Sequence, residues 1–135
     1  MKEKIYLLKP IPDELNELSR LVVDCVFKVH QHLGPGLLES VYEACLVHEM
    51  HRREIPVETQ VSLPIVYEGL KLESGVRLDL WVDRQIVIEL KSVDEVSNLH
   101  KSQLLTYLKL SGSRLGLLVN FNVPLIKNGI VRIVL

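Results

Sequence analysis

The sequence is poor in the features that mark secreted and membrane-embedded proteins. Its 135 residues include two cysteines, Cys25 and Cys45, which lie far apart inside helix-like apolar patterns, so we expect buried, reduced thiols rather than a disulfide or a zinc site. No apolar stretch approaches the roughly 20 uncharged residues that a transmembrane helix needs. The apolar run 5–8 is interrupted by Lys9 and Pro10. We therefore expect a soluble, unprocessed, cytoplasmic protein.

The chain also lacks an excess of charge of either sign. Sixteen basic and seventeen acidic residues give a formal net charge of -1, which provides no global attraction toward the phosphates of nucleic acids. Any contact with nucleic acid must therefore come from a local patch. A chain of this length buries enough surface to fold without disulfides or metal, and we expect one domain over residues 1–135.

Apolar spacing predicts three helices. Residues 13–33 and 37–53 carry helical patterns separated by Gly34-Pro35-Gly36, and Asp13 is the expected N-cap of the first helix. A third helix is expected over residues 98–110, because Ser97 can cap its start and Gly112 can end it.

Alternating and β-branched residues predict the strands. We expect strands at 57–67, 70–72, 76–82 and 86–90, with Pro64 at a sheet edge or a bulge. Two more are expected at 115–121 and 130–135, the last after a tight turn at Asn128-Gly129. The predicted order is ααββββαββ, an α/β sandwich whose mixed sheet is flanked by helices.

The predicted strands 76–82 and 86–90 each have one apolar face and one face that carries charge. The apolar faces, Leu78/Leu80/Val82 and Ile86/Ile88/Leu90, lie on the same side of the sheet only if Asp79 is opposite Glu89. Directly opposed residues have Cβ atoms about 4.5–5.5 Å apart. Asp79, Glu89 and Lys91 are therefore expected to converge on one surface.

Two carboxylates at this separation repel each other unless one takes a proton or a cation lies between them. Oxygen ligands suit Mg²⁺ or Mn²⁺ better than Zn²⁺. The alternative is a solvated strand face on which Arg77 and Lys91 pair with Asp79 and Glu89, and pattern alone slightly favours it. Glu89, however, ends a run of branched apolar residues typical of an interior strand. A buried carboxylate is costly there unless a partner group or a cation stabilises its charge.

Asp79, followed after a hairpin by Glu89-Leu90-Lys91, resembles the D-x(n)-E-x-K signature of the PD-(D/E)XK nuclease superfamily. Three further segments are similar to the GxxExxY family: residues 36–42, the Q-x-x-x-Y helix at 103–107, and the late strand at 116–121. Leu78 stands where the superfamily's name has proline, a departure that removes no ligand. The resemblance covers most of the chain and implies a restriction-endonuclease-like fold.

The resemblance implies a nuclease that uses Mg²⁺ or Mn²⁺, with DNA favoured over RNA. In that superfamily an Asp, the Glu of E-x-K and a Glu of the preceding helix bind metal, and the Lys positions or activates water. The corresponding residues here are Asp79, Glu89, Glu39 and Lys91. The Leu90 carbonyl would be a further metal ligand, and Gln103 would orient the phosphate backbone or the water. Cutting both strands of a duplex implies a homodimer.

Several of these residues have a purely structural alternative. The sole role of Glu39 could be to stabilise the start of its helix through the helix dipole, and Gln103 could be an ordinary exposed helix residue. Tyr42 and Tyr107 are interpreted as packing residues with a hydroxyl partner. The alternative function is a catalytically silent module that binds nucleic acid or protein, which the neutral net charge favours.

Overall fold

A computed structural model describes residues 9–135, and the apolar run 5–8 lies outside the described residues. The elements are α1 (Asp13–Leu33), α2 (Glu39–Arg52), β1 (Val57–Tyr67), β2 (Leu70–Val82), β3 (Ile86–Lys91), α3 (Asn98–Ser111), β4 (Leu115–Asn120), a 3-10 helix (Ile126–Gly129) and β5 (Ile130–Val134). No helix in this part of the chain combines the length and apolar character that crossing a bilayer requires.

The five strands form one mixed sheet in the order β1-β2-β3-β4-β5. All neighbouring pairs are antiparallel except β3 and β4, which are parallel and are connected through α3. One apolar cluster joins the sheet to α1 and α2, and a second joins it to α3. The expected mixed sheet flanked by helices is confirmed. Cys25 is buried in the first cluster, Cys45 is half-buried, and both are free thiols.

The prediction of four strands before α3 is wrong, because residues 70–82 form the single strand β2. The ladder with β1 continues past Gly75, where a side chain would start 2.3 Å from Cγ1 of Ile65. The register shifts between Leu63 and Ile65. Pro64 therefore lies at a bulge in an edge strand, as predicted.

The bounds of α1 are those predicted, but its N-cap residue differs, and α2 begins at Glu39 rather than at the predicted residue 37. Pro12, not Asp13, is the N-cap residue, and no side chain caps this end. Asp13 lies in the first turn, where its charge favours the helix dipole. At α3, Ser97 and His100 form a capping box, and Gly112 ends the helix with a left-handed φ of 76°. The predicted tight turn at 128–129 is instead the end of the 3-10 helix.

The alternation of β2 is interrupted next to Asp79. Leu80 shares the α1–α2 side with the apolar face of β3, as predicted, but Leu78 packs on the α3 side. On the neighbouring strand β1, Gln60 has a φ of 52° and lies between the residues that pair with Leu80 and Leu78. The expectation that Leu78 shares a face with Leu80 is therefore wrong, because β1 and β2 are irregular at this level.

Gly129 is in close contact with Asn120, the last residue of β4. A Cβ atom at Gly129 would lie 2.1 Å from the Asn120 carbonyl oxygen, so we expect Gly129→Ala to destabilise the fold by about 1–3 kcal/mol. Urea unfolding measures the loss. Asn128→Ala is the control, because the Asn128 side chain is exposed. Equal stability of Gly129→Ala and the wild type would contradict the close contact.

Candidate active site

Asp79 and Glu89 lie where β2 and β3 separate. The backbone ladder between these strands ends at Leu80 and Ile88, in the register that makes Asp79 the next residue opposite Glu89. Beyond that point the carboxylates replace backbone carbonyls as acceptors. The Asp79 N–H donates to Glu89 Oε1 at 3.1 Å, and the Leu90 N–H donates to Asp79 Oδ2 at 2.9 Å. The predicted register is confirmed.

Within the Asp79–Glu89 pair, Glu89 is buried, with 8% of its surface exposed, and Asp79 is half-buried. Burial, and then the Asp79 carboxylate, raise the pKa of Glu89 to about 8, while the Asp79 N–H and the Lys91 ammonium act in the opposite direction. Without a cation the pair therefore holds one proton near neutral pH. Protonation of one carboxylate is one of the two ways, expected from the sequence, in which the repulsion can be relieved.

Lys91 and Leu90 follow directly on β3. Lys91 is half-buried at the end of the strand, and its positive charge acts to lower the pKa of Glu89. The Leu90 side chain packs in the α1–α2-side cluster, while its peptide N–H contacts Asp79. The structure thus brings Asp79 of β2 and the E-x-K residues of β3 together where the two strands separate.

Tyr107 on α3, a packing residue in the sequence interpretation, also interacts with the carboxylate pair. It does pack against the α3-side cluster, but burial, Glu89 and Asp79 together raise the pKa of its hydroxyl. Tyr107 therefore lies within electrostatic reach of the pair. Gln103 lies one turn earlier on α3 and is exposed. The four-residue spacing places Gln103 and Tyr107 on the same helix face, and this spacing could have indicated from the sequence that Tyr107 faces the site.

Glu39 is the first residue of α2 and is exposed. It lines a small surface pocket together with Ser92, the residue after Lys91. Within residues 9–135, no hydrogen bond or ion pair joins Glu39 to Asp79 or Glu89, and no group of three or more His, Cys, Asp or Glu is arranged to hold a metal ion. Metal binding by Glu39 stays a prediction.

Tyr42 holds the loop before α2 in place. Its hydroxyl donates to the Gly34 carbonyl at 2.6 Å and accepts from the Leu37 N–H at 3.2 Å. Its ring stacks on Phe121, with centroids 4.2 Å apart. The packing interpretation of Tyr42 is confirmed, and Tyr42 fixes the loop that leads into Glu39.

A groove of about 670 Å³ between α1 and α2 contains none of the predicted site residues. Its buried carboxylate, Glu49, lies 2.9 Å from Lys28 Nζ and 3.4 Å from Arg53 Nε. The hydrogen bond from Lys28, above all, lowers the pKa of Glu49. Glu49 is thus a compensated structural anion, whereas Glu89 is not, and the Asp79–Glu89 pair is the better candidate for chemistry.

Comparison with known proteins agrees with this geometry. A profile described as the PD-(D/E)XK nuclease superfamily matches residues 16–133. The chain belongs to this superfamily. The match runs from within α1 to within β5, and the mixed α/β architecture is consistent with the expected restriction-endonuclease-like fold. No curated protein and no solved structure matches at a significant level.

Nucleases of the PD-(D/E)XK superfamily generally use divalent metal ions, and the carboxylate pair of this member fits such an ion. Its donors are hard oxygens. The repulsion that contributes to the raised pKa of Glu89 is what a cation would neutralise. Asp79 and Glu89 are the residues that would hold the ion.

The raised pKa of Glu89 makes the stability of the metal-free protein depend on pH. The folded state keeps a proton that the unfolded state, with a pKa near 4.5, releases. This stabilisation is complete below the unfolded pKa and is lost as the pH rises through about 8. In EDTA, the wild-type Tm should fall between about pH 5.5 and 8.5 more steeply than that of Glu89→Gln.

The exposed Glu68 provides the matched control for this pH series. Glu68→Gln also removes one carboxylate and should keep the wild-type slope of Tm against pH. Parallel curves for the wild type and Glu89→Gln would show that Glu89 has an ordinary pKa.

Asp79→Asn should stabilise the metal-free protein at about pH 9, which is above the pKa of about 8 of Glu89. The Asn oxygen can still accept the Leu90 N–H while the repulsion with Glu89 is removed, so a gain of order 1 kcal/mol is expected. The gain should shrink near pH 5.5, where Glu89 is protonated. Urea unfolding at both pH values measures it, and a loss of stability at pH 9 would identify Asp79 as a structural anion.

Proposed function

We propose that this chain is a divalent-metal-dependent nuclease that hydrolyses phosphodiester bonds, with DNA favoured over RNA and Mg²⁺ or Mn²⁺ as the ion. Superfamily membership suggests nuclease activity. The observation that carries the proposal is the contact between the buried Glu89 and the half-buried Asp79, each of which accepts a backbone N–H from the other's strand, with Lys91 two residues beyond Glu89. We also propose that residues 1–135 form one domain of the GxxExxY type.

Each residue has a separate proposed role. Asp79, Glu89 and the Leu90 carbonyl hold the ion, and Glu39 completes its ligands from the start of α2. When bound, a divalent cation screens the phosphate and lowers the pKa of a water molecule. The Lys91 ammonium holds that water or a phosphate oxygen, and Gln103 on α3 orients the phosphate backbone.

The proton on Glu89 has a consequence for metal binding. A carboxyl group must lose its proton before it can bind a cation as a carboxylate. Because the pKa of Glu89 is about 8 in the metal-free protein, binding displaces this proton near neutral pH. Affinity for the cation is then expected to increase as the pH rises toward 8.

A homodimer is part of the proposal for duplex substrates. One Asp79–Glu89 pair provides one site, and one site cuts one strand at a time. Two copies related by a two-fold axis would match the symmetry of a duplex. A monomer would nick duplex DNA rather than cut both strands.

Substitutions should separate ion binding from turnover. Asp79→Asn and Glu89→Gln should lose Mn²⁺ binding and cleavage together. Lys91→Ala should retain the ion but cleave more slowly by about 100-fold or more, because only the group that positions the water or phosphate is removed. Calorimetric Mn²⁺ titration and a plasmid-nicking assay measure the two effects, with Lys127→Ala, at an exposed lysine, as the control.

Two other outcomes would change the proposal. Undiminished cleavage by Lys91→Ala would remove Lys91 from the mechanism. Nucleic-acid binding without cleavage by the wild type, under Mg²⁺ and Mn²⁺ alike, would favour the catalytically silent module. As an independent check, Mg²⁺ should raise the Tm of the wild type but not that of Asp79→Asn.

A further inference from the structure

Asn120 is a polar side chain at the end of the apolar strand β4, and it is 2% exposed. In the parallel register of β3 and β4 it lies beside Lys91. Its burial requires a reason, because an amide without hydrogen-bond partners in the interior is costly.

The Asn120 amide closes a two-bond ring with the backbone of Val93. The Val93 N–H donates to Asn120 Oδ1 at 3.1 Å, and Asn120 Nδ2 donates to the Val93 carbonyl at 2.9 Å. The Asn122 N–H also donates to Oδ1, at 3.2 Å. Only a side chain with both a donor and an acceptor can bind the N–H and the carbonyl of one residue in this way.

Lys91, the last residue of β3, and the two residues after it are each held by a hydrogen bond to the end of β4 or to the loop before α2. The Lys91 carbonyl accepts from the Phe121 N–H at 3.0 Å. Ser92 Oγ donates to the Leu37 carbonyl at 2.7 Å, in the loop before α2. Val93 is held from β4 by the Asn120 side chain.

We propose that Asn120 is a positioning residue that fixes the backbone on the carboxyl side of Lys91, and thereby the position of the Lys91 ammonium beside Asp79 and Glu89. This inference rests on the nuclease function proposed above. Asn120 itself cannot shift easily, because Gly129 packs against its carbonyl oxygen. Displacement of a positioned group by about 1 Å can cost 100-fold in rate.

A double-mutant cycle tests whether Asn120 acts through Lys91. Mn²⁺-dependent nicking is measured for the wild type, Asn120→Ala, Lys91→Ala and the double variant. Asn120→Ala should lower kcat by about 10- to 100-fold with KM close to the wild-type value. In the Lys91→Ala background it should lower kcat no further.

The matched control is Asn122→Ala. The Asn122 side chain donates only to the exposed Asp94, at 3.3 Å, and its loss should leave kcat unchanged.

Hydrogen exchange in EDTA provides a readout that does not need activity. Asn120→Ala should speed exchange in residues 91–97 while leaving β4 protected. Wild-type kcat in Asn120→Ala, or a multiplicative loss in the double variant, would overturn the positioning role and leave the nuclease function standing. No cleavage by the wild type with either cation would overturn the nuclease function, and unchanged exchange in residues 91–97 would then also overturn the backbone restraint by Asn120.

Discussion

The site depends on two carboxylates that are held together against their mutual repulsion. Where the β2–β3 ladder stops, Asp79 accepts an N–H from β3 and Glu89 accepts one from β2. These bonds satisfy backbone groups that the diverging strands would otherwise leave unpaired. They also fix two like charges side by side in a mostly buried position, and this explains why the pKa of Glu89 rises to about 8.

The rest of the fold restrains the backbone next to this pair from two sides. Ser92 binds the loop before α2, and Val93 is bound by Asn120 of β4. On α3, Tyr107 lies within electrostatic reach of the carboxylates. The parallel step from β3 to β4 is what brings Asn120 beside Lys91. A cation at the pair would thus be bound by groups whose backbone is already restrained, which lowers the entropic cost of forming the site.

Features set by local periodicity were predictable from the sequence, and features set by contacts between distant segments were not. The bounds of α1, the Ser97 and Gly112 ends of α3 and the register that opposes Asp79 to Glu89 all follow from spacing along one or two neighbouring elements. The continuity of β2 through Gly75 depends on the close approach of Ile65. No pattern along either strand contains that information.

The candidate site shows the same division. The two carboxylates and Lys91 were found because they alternate with apolar residues on adjacent strands. The electrostatic link to Tyr107 and the bonds of Asn120 to Val93 cross between elements that are distant in the sequence. Asn120 could have been noticed in the sequence only as a polar residue that ends an apolar strand.

The most direct measurement is the pKa of Glu89, determined by carboxyl carbon-13 NMR of the metal-free protein over a pH series. The repulsive, buried pair predicts a value near 8, and Mg²⁺ should lower the midpoint because it competes with the proton. An ordinary value near 4.5, unaffected by Mg²⁺, would contradict the account of Asp79 and Glu89 as a cation-binding pair.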